Sequence, residues 1–284
     1  MNKWVIGARP RTLPAAVAPV LVATALAGKD ASALPALLAL IVSLSLQIGV
    51  NYANDYSDGI RGTDSERVGP VRITASGLAS PQSVKAAAFI SFAIGAVAGL
   101  GLAAMSSWWL ILVGLISILA AWGYTGGKNP YGYLGLGELF VFIFFGVVAT
   151  VGTFYVQTET ITAHSILASI PMGAFACALL AINNIRDRAL DAPAGKKTLA
   201  VRLGDRNARY FFVALILIGY LAALSIGSAW LLLTLITAPK AFSLIRGVLG
   251  ELQGRDLIPY LAKTGQLQLL FALIFSLSLV LSHG

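Results

Sequence analysis

The sequence predicts an all-α, polytopic membrane protein with nine transmembrane helices. Three observations predict it. Of 284 residues, 57% are hydrophobic and only 11% are charged, far from the roughly 25% charged composition of a soluble domain. The apolar residues fall in nearly charge-free runs of 17 to 22, and a helix needs about 20 such residues to cross the hydrocarbon core. Finally, Lys and Arg gather in alternate connections, as they do in cytoplasmic loops. The alternating ten-residue segments of a membrane barrel are absent, and disorder is excluded by the same composition.

The first span, 12–28, follows Lys3, Arg9 and Arg11 as a signal sequence would. It contains Pro14 and Pro19 and further spans follow closely, so it reads as a retained, kinked helix. The second, 34–55, ends in acidic residues. The third and fourth, 84–104 and 107–124, meet near Trp108 and Trp109, whose indoles mark an outer interface. Gly95 and Gly99 form a GxxxG pair suited to close helix packing. The remaining spans are 137–157, 163–184, 209–226, 228–247 and 264–282. With the amino terminus inside, 19 of the 20 Lys and Arg residues lie on the cytoplasmic side and only Lys29 outside. The net charge of +8 is therefore largely a topology signal and implies no nucleic-acid partner.

Acidic residues are more informative, because loop orientation hardly depends on them. Six form two clusters: Asp55, Asp58, Asp64 and Glu66 after the second span, and Asp187 and Asp191 after the sixth. Both grow from helix carboxyl ends, where the macrodipole disfavours negative charge. In each, an Asn precedes an Asp by four residues (Asn54 and Asp58, Asn183 and Asp187), and Asp191 follows after four more. That spacing puts oxygen ligands on one helix face. Hard oxygen donors at a membrane surface suit Mg²⁺, which takes one or two carboxylates and completes its octahedron with water and phosphate oxygens. The alternative is a pair of solvated helix ends paired with Arg61, Arg67 and Arg188. The recurrence of one Asn-x-x-x-Asp core on equivalent helices favours the metal reading.

Basic residues follow each cluster: Arg61, Arg67 and Arg72 after the first, and Lys196, Lys197 and Arg202 after the second. Such groups beside metal-binding carboxylates suit a diphosphate, although the positive-inside bias also accounts for them. A third cytoplasmic loop, from Tyr124 through Lys128, Tyr131 and Tyr133 to Glu138, is rich in Gly and Tyr. It lacks the GKS/T ending of a P-loop and no strand precedes it. Its glycines could close over a ligand, and its tyrosines could face a cation or an aromatic substrate. His164 and His283 lie at outer and terminal positions, and Cys177 is a lone cysteine inside an apolar run, so triad and thiol chemistry are not indicated.

These motifs together resemble the UbiA superfamily of intramembrane aromatic prenyltransferases, and more narrowly its MenA branch, the 1,4-dihydroxy-2-naphthoate polyprenyltransferases. The resemblance rests on GARPRTLPAAVAP at 7–19, NYANDYSDGIRGTD at 51–64, RVGPVRITASG at 67–77, YTGGKNPYGYLGLGE at 124–138 and NNIRDRALDAPAGKKTLAVRLG at 183–204. The superfamily's usual first motif is Asn-x3-Asp-x3-Asp; here position 62 is Gly62 and the next carboxylate is Asp64, a longer spacing typical of the MenA branch. The second motif fits through Asn183, Asp187 and Asp191.

The resemblance implies a single UbiA-like domain over 1–284, with two four-helix pseudo-repeats (about 10–124 and 137–247) and a final helix at 264–282. It implies Mg²⁺-dependent transfer of a polyprenyl group from polyprenyl diphosphate to 1,4-dihydroxy-2-naphthoate, releasing CO₂ and diphosphate and giving demethylmenaquinone. The implied metal ligands are Asp58 with Asp55 or Asp64, and Asp187 with Asp191. Arg67, Arg72, Lys128, Lys196 and Lys197 are the expected anion-binding groups, with Asn54 and Asn183 beside the metal. Tyr124, Tyr131 and Tyr133 would steer the naphthol ring or the allylic cation, and Asp58, Asp187, Lys128 and Tyr124 are the expected catalytic residues. A prokaryotic plasma membrane is the expected location, with the amino terminus and active-site loops cytoplasmic. Two alternatives stay open from the sequence: another aromatic acceptor such as 4-hydroxybenzoate, and a membrane lipid or cation transporter. Uncharged span centres weigh against the transporter.

Overall fold

A computed structural model describes residues 2–62, 69 and 71–282. Every regular element among them is helical. The chain opens with α1 (Lys3–Ala8), a 3₁₀ turn over Pro10–Thr12 and α2 (Pro14–Ala27). The kink expected at the first span is a real break: the pair Lys3–Thr12 and Pro14–Asp30 is bent by 52°. Arg9 sits there at φ 52°, a costly left-handed conformation for a side-chain-bearing residue, and the following Pro10 disfavours ordinary helix geometry in it. Partly buried hydrogen bonds hold the break. Asn51 Nδ2 donates to Ala8 O at 2.9 Å and to Thr12 Oγ1 at 3.0 Å, while Arg9 Nη2 donates to Asn51 O at 3.0 Å.

Next come α3 (Ala33–Arg61), α4 (Pro81–Met105) and α5 (Trp109–Gly123), followed by α6 (Gly137–Thr158) and α7 (Ala163–Asp191). The chain ends with α8 (Leu199–Leu224), α9 (Ala229–Leu249) and α10 (Gly254–Ser282). Among the described residues seven helices are long and apolar enough to cross a membrane, and the bent first pair would make an eighth. The ninth expected span is α5, a helix of only 15 residues. At 1.5 Å per residue it reaches about 22 Å, short of the roughly 30 Å core.

Helices α3 and α7 each run 29 residues, about 43 Å and so several turns longer than the bilayer core requires. Their expected ends at 55 and 184 are therefore corrected to Arg61 and Asp191, and both acidic motifs are helical. Gly62, at φ 72°, stops α3 by donating its amide to the carbonyls of Asp58 and Gly59, a left-handed glycine cap. In α8 the expected start at 209 moves to Leu199, with a break at Gly204 (φ 75°).

Helix α7 is the centre of the molecule. Of its apolar stretch 78% is buried, against 28–50% in the other six spans. Phe175 packs against Phe271 of α10 at 4.7 Å between ring centroids, the rings tilted by 47°, and Tyr220 of α8 meets Phe271 edge-on at 5.1 Å. Between α6 and α7 the backbones nearly touch: a Cβ added to Gly146 would lie 2.6 Å from Gly173 Cα. Residues Phe142–Val148 of α6 wind as a π-helix at this crossing, a widening often found at functional sites. Gly95 and Gly99 face Ser45 and Val42 of α3, which is the close packing expected of the pair. Trp108 and Trp109 are exposed, as interfacial anchors are.

Candidate active site

A cavity of about 680 Å³ opens between the motif-bearing ends of α3 and α7. Helical spacing explains its polar end. Asn51, Asn54 and Asp58 recur every three or four residues along one stripe of α3, and Asn183, Asp187 and Asp191 do so on α7. Farther in, the wall is apolar, with Val42, Leu46, Phe140, Phe144, Val148 and Leu180.

Asp58 is only 3% exposed. Its Oδ2 lies 2.9 Å from Lys196 Nζ, and its Oδ1 accepts the Tyr133 hydroxyl at 2.6 Å. The Tyr133 ring sits between two cations, with the Arg61 guanidinium 5.3 Å and the Lys196 ammonium 4.8 Å from its centroid. Arg61 also donates to the carbonyls of Thr125 and Gly127, and the Thr125 hydroxyl donates to Asn54 Oδ1 at 2.7 Å. The Gly/Tyr-rich loop is thus tied to the last two turns of α3.

Asp187, 4% exposed, accepts two bonds from its neighbour Arg186, from Nε at 2.7 Å and from Nη2 at 2.6 Å. The same Nη2 reaches Asn183 Oδ1 at 2.8 Å. Asn184, on the cavity wall, donates through Nδ2 to Oε1 of the buried Glu138 at 2.9 Å. Burial pushes the Tyr124 phenol well above its ordinary range, and the charges of Glu138, Tyr131, Asp58 and Asp191 add to it. Burial alone raises that of Tyr131. Both phenols are therefore neutral on the cavity wall, and that of Tyr131 donates to the Ala120 carbonyl at 2.8 Å.

Of the residues expected from sequence, the cavity brings together Asn54, Asp58, Arg72, Tyr124, Tyr131 and Tyr133 with Asn183, Asp187, Asp191 and Lys196. Three others lie elsewhere. Asp55 is fully buried off the cavity, bonded to the backbone of Ile73 and Thr74. Lys128 is exposed at the loop tip and does not line the cavity. Lys197 is also exposed, and its amide bonds the Tyr133 carbonyl at 2.9 Å. Asp64, Glu66, Arg67 and His283 lie outside the described residues. Sequence reading missed Asn51, Asn184 and Arg186. Asn51 stands three residues before Asn54 on the same stripe, which is a signal a face analysis could have found.

The donor set suits magnesium. Two buried carboxylates, Asp58 and Asp187, each already hold a cationic side chain against them. Among the described residues no three His, Cys, Asp or Glu side chains converge as a closed cage, and magnesium needs only one or two carboxylates when phosphate oxygens and water supply the rest.

An all-helical membrane bundle whose paired acidic helix ends cap an aromatic, apolar cavity defines a class of intramembrane protein built to hold a charged head and a greasy tail together. The chain belongs to the UbiA prenyltransferase family, whose profile matches residues 16–251. It is 50% identical over 275 residues to the 1,4-dihydroxy-2-naphthoate octaprenyltransferase of Mycobacterium tuberculosis, covering 95% of this chain and 94% of that one. It is 40% identical over 295 residues to the Escherichia coli protein of the same name, with 99% and 96% covered. Its fold matches a solved UbiA homologue from Archaeoglobus fulgidus bound to GPP and Mg²⁺, at TM-score 0.65 and 16% identity over 98% of this chain and 99% of that one.

Proposed function

We propose that this chain is a magnesium-dependent polyprenyltransferase that joins a polyprenyl diphosphate to 1,4-dihydroxy-2-naphthoate. Products are demethylmenaquinol, which oxidises to demethylmenaquinone on extraction in air, together with CO₂ and diphosphate. The observation that carries the reading is one cavity with both halves of the chemistry: carboxylates and cations at its polar end, and an aromatic and aliphatic sleeve behind them. The names of the two bacterial relatives supply the acceptor.

The allylic carbon–oxygen bond breaks with its electron pair leaving on the diphosphate. The ring carbon bearing the carboxylate attacks the allylic carbon, and loss of CO₂ returns the electron pair that restores the aromatic ring. Arg72 and Lys196 bind phosphate oxygens, each through charge-assisted hydrogen bonds. Asp58, Asp187 and Asp191 would hold magnesium, with Asn54 and Asn183 beside them, and the ion bound there would supply charge neutralisation for the departing diphosphate. Phe140 and Phe144 present aromatic rings to the allylic cation, each contact worth about 0.5–2 kcal/mol, while Tyr133, already flanked by the Arg61 and Lys196 cations, orients Asp58 through its hydroxyl. The apolar wall excludes water that would quench it. Tyr124, held neutral, donates a hydrogen bond to the acceptor, while Tyr131, whose hydroxyl donates to the Ala120 carbonyl at 2.8 Å, offers its oxygen to an acceptor phenol. Lys128 and Lys197 take no part in this arrangement.

The same reading treats α5 as a ninth, short span, groups the helices as two four-helix pseudo-repeats with α10 added, and places the amino terminus and the polar end of the cavity in the cytoplasm. The concentration of Lys and Arg at that end supports the orientation. The test incubates membranes containing the protein with dihydroxynaphthoate, a prenyl diphosphate and Mg²⁺, and measures demethylmenaquinone by mass spectrometry. Product that disappears with EDTA and in Asp58→Asn supports the assignment. If folded protein forms none across several prenyl lengths, the acceptor is wrong.

A further inference from the structure

We infer that Asp55 is a positioning residue that sets Arg72 in the cavity, and that it does not ligate the metal. This rests on the prenyl-transfer reading and deepens it.

Asp55 stands next to Asn54 in the first motif, yet it points away from the cavity. It is 0% exposed. Its Oδ2 accepts the Ile73 amide at 3.0 Å and its Oδ1 accepts the Thr74 amide at 2.8 Å. A buried carboxylate is costly unless it is hydrogen-bonded, and two successive backbone N–H groups form an anion-binding concavity that meets the need. Both oxygens are thereby bonded to that backbone, on the stripe of α3 next to the one that lines the cavity.

Helix α3 thus has two working stripes. Asn51, Asn54 and Asp58 line the cavity, while Tyr52, Asp55 and Gly59 seat the segment at 71–79. The seat is tight. A Cβ on Gly59 would fall 2.5 Å from Thr74 Cγ2, and one on Gly7 would fall 2.9 Å from Ile73 Cδ1. Ile73 itself is 0% exposed. Within the segment, the Ser76 amide and hydroxyl both donate to Arg72 O, at 3.0 and 2.6 Å, and the Ala79 amide donates to Ile73 O at 3.0 Å. The backbone on either side of the Arg72 carbonyl is fixed, so its side chain, 8% exposed, is delivered to the cavity wall.

The experiment uses purified full-length protein in detergent with the Asp55→Asn variant. An Asn keeps the size and one acceptor, but its NH₂ meets a backbone N–H, donor against donor. Hydrogen–deuterium exchange of the segment 71–79 should quicken, and KM for the prenyl diphosphate should rise about tenfold, the scale of one lost charge-assisted hydrogen bond. The Mg²⁺ concentration for half-maximal activity should not move. In the double variant with Arg72→Gln, the loss should be no greater than in Arg72→Gln alone. Additive losses, unchanged exchange, or a raised Mg²⁺ requirement would overturn the inference. If Asp55→Asn does not fold, Gly59→Ala displaces the same segment through Thr74 with Asp55 intact and should raise the same KM; an unchanged KM there overturns the inference too. Wild-type protein that makes no product would sink the functional reading instead, and the exchange result would still report on Asp55.

Discussion

Lys196 Nζ lies 2.9 Å from Asp58 Oδ2, across 138 residues of sequence, with both side chains buried. This ion pair joins the second motif's basic stretch to the first motif's carboxylate. Removing one partner of a buried pair leaves an uncompensated charge and costs about 3–5 kcal/mol. Lys196→Met should lower the thermal midpoint in detergent by several degrees and raise KM for prenyl diphosphate, and Lys196→Arg should restore part of both. A Met variant as stable and as tight-binding as the parent would show that the pair is idle.

Asp187→Asn keeps the shape of the second motif but removes the charge that faces Arg186. Turnover should fall by about 10²–10³-fold or more, the scale of losing one electrostatic stabiliser, and because Asp187 is half of a buried pair with Arg186 the thermal midpoint in detergent should fall as well, so turnover is normalised to folded protein. Steady-state kinetics at saturating Mg²⁺ reads this directly. Retained turnover in both this variant and Asp58→Asn would be incompatible with the metal assignment.

Alkaline pH should weaken the fold through Tyr124. Its phenol is raised above the ordinary 10.0 in the folded protein, chiefly by burial. Below that value both states keep the proton and the stability is fully present. As pH climbs past it, the unfolded chain ionises first and stability falls. Thermal melts should show a decline above about pH 10 that is shallower in Tyr124→Phe. Equal slopes in the two proteins would contradict the assignment.

Gly146→Ala should destabilise the bundle by about 1–3 kcal/mol, the usual cost of overpacking, because the new Cβ would lie 2.6 Å from backbone at Gly173. Backbone cannot swing aside as a long side chain can. A lowered midpoint in detergent tests this, and Gly152→Ala, where a Cβ meets nothing within 4 Å, is the control. If the two variants melt together, the close approach is not a stability determinant.

The membrane class, the long apolar helices and the two acidic helix ends were all legible in the sequence, since span length and charge exclusion are properties of local composition. So was the recurrence of one Asn-x-x-x-Asp core on two helices, because its spacing is local; that Asp58 and Asp187 line one cavity is seen only in the structure. What each charged residue faces was not legible. Asp55 and Asp58 are the same residue type three positions apart, yet one seats a backbone segment while the other lines the cavity. Lys196 and Lys197 are adjacent, yet only the first turns inward.

The sequence by itself determined that this chain lies in a membrane and carries paired oxygen-rich helix ends followed by basic stretches. Only the tertiary structure decided which of those groups meet. Helical periodicity assigns residues to stripes but leaves open which stripe points at which neighbour. That direction is set by packing, here by the Gly146–Gly173 crossing and the seat at Gly59, where a missing Cβ lets two segments approach closely enough to orient everything around them.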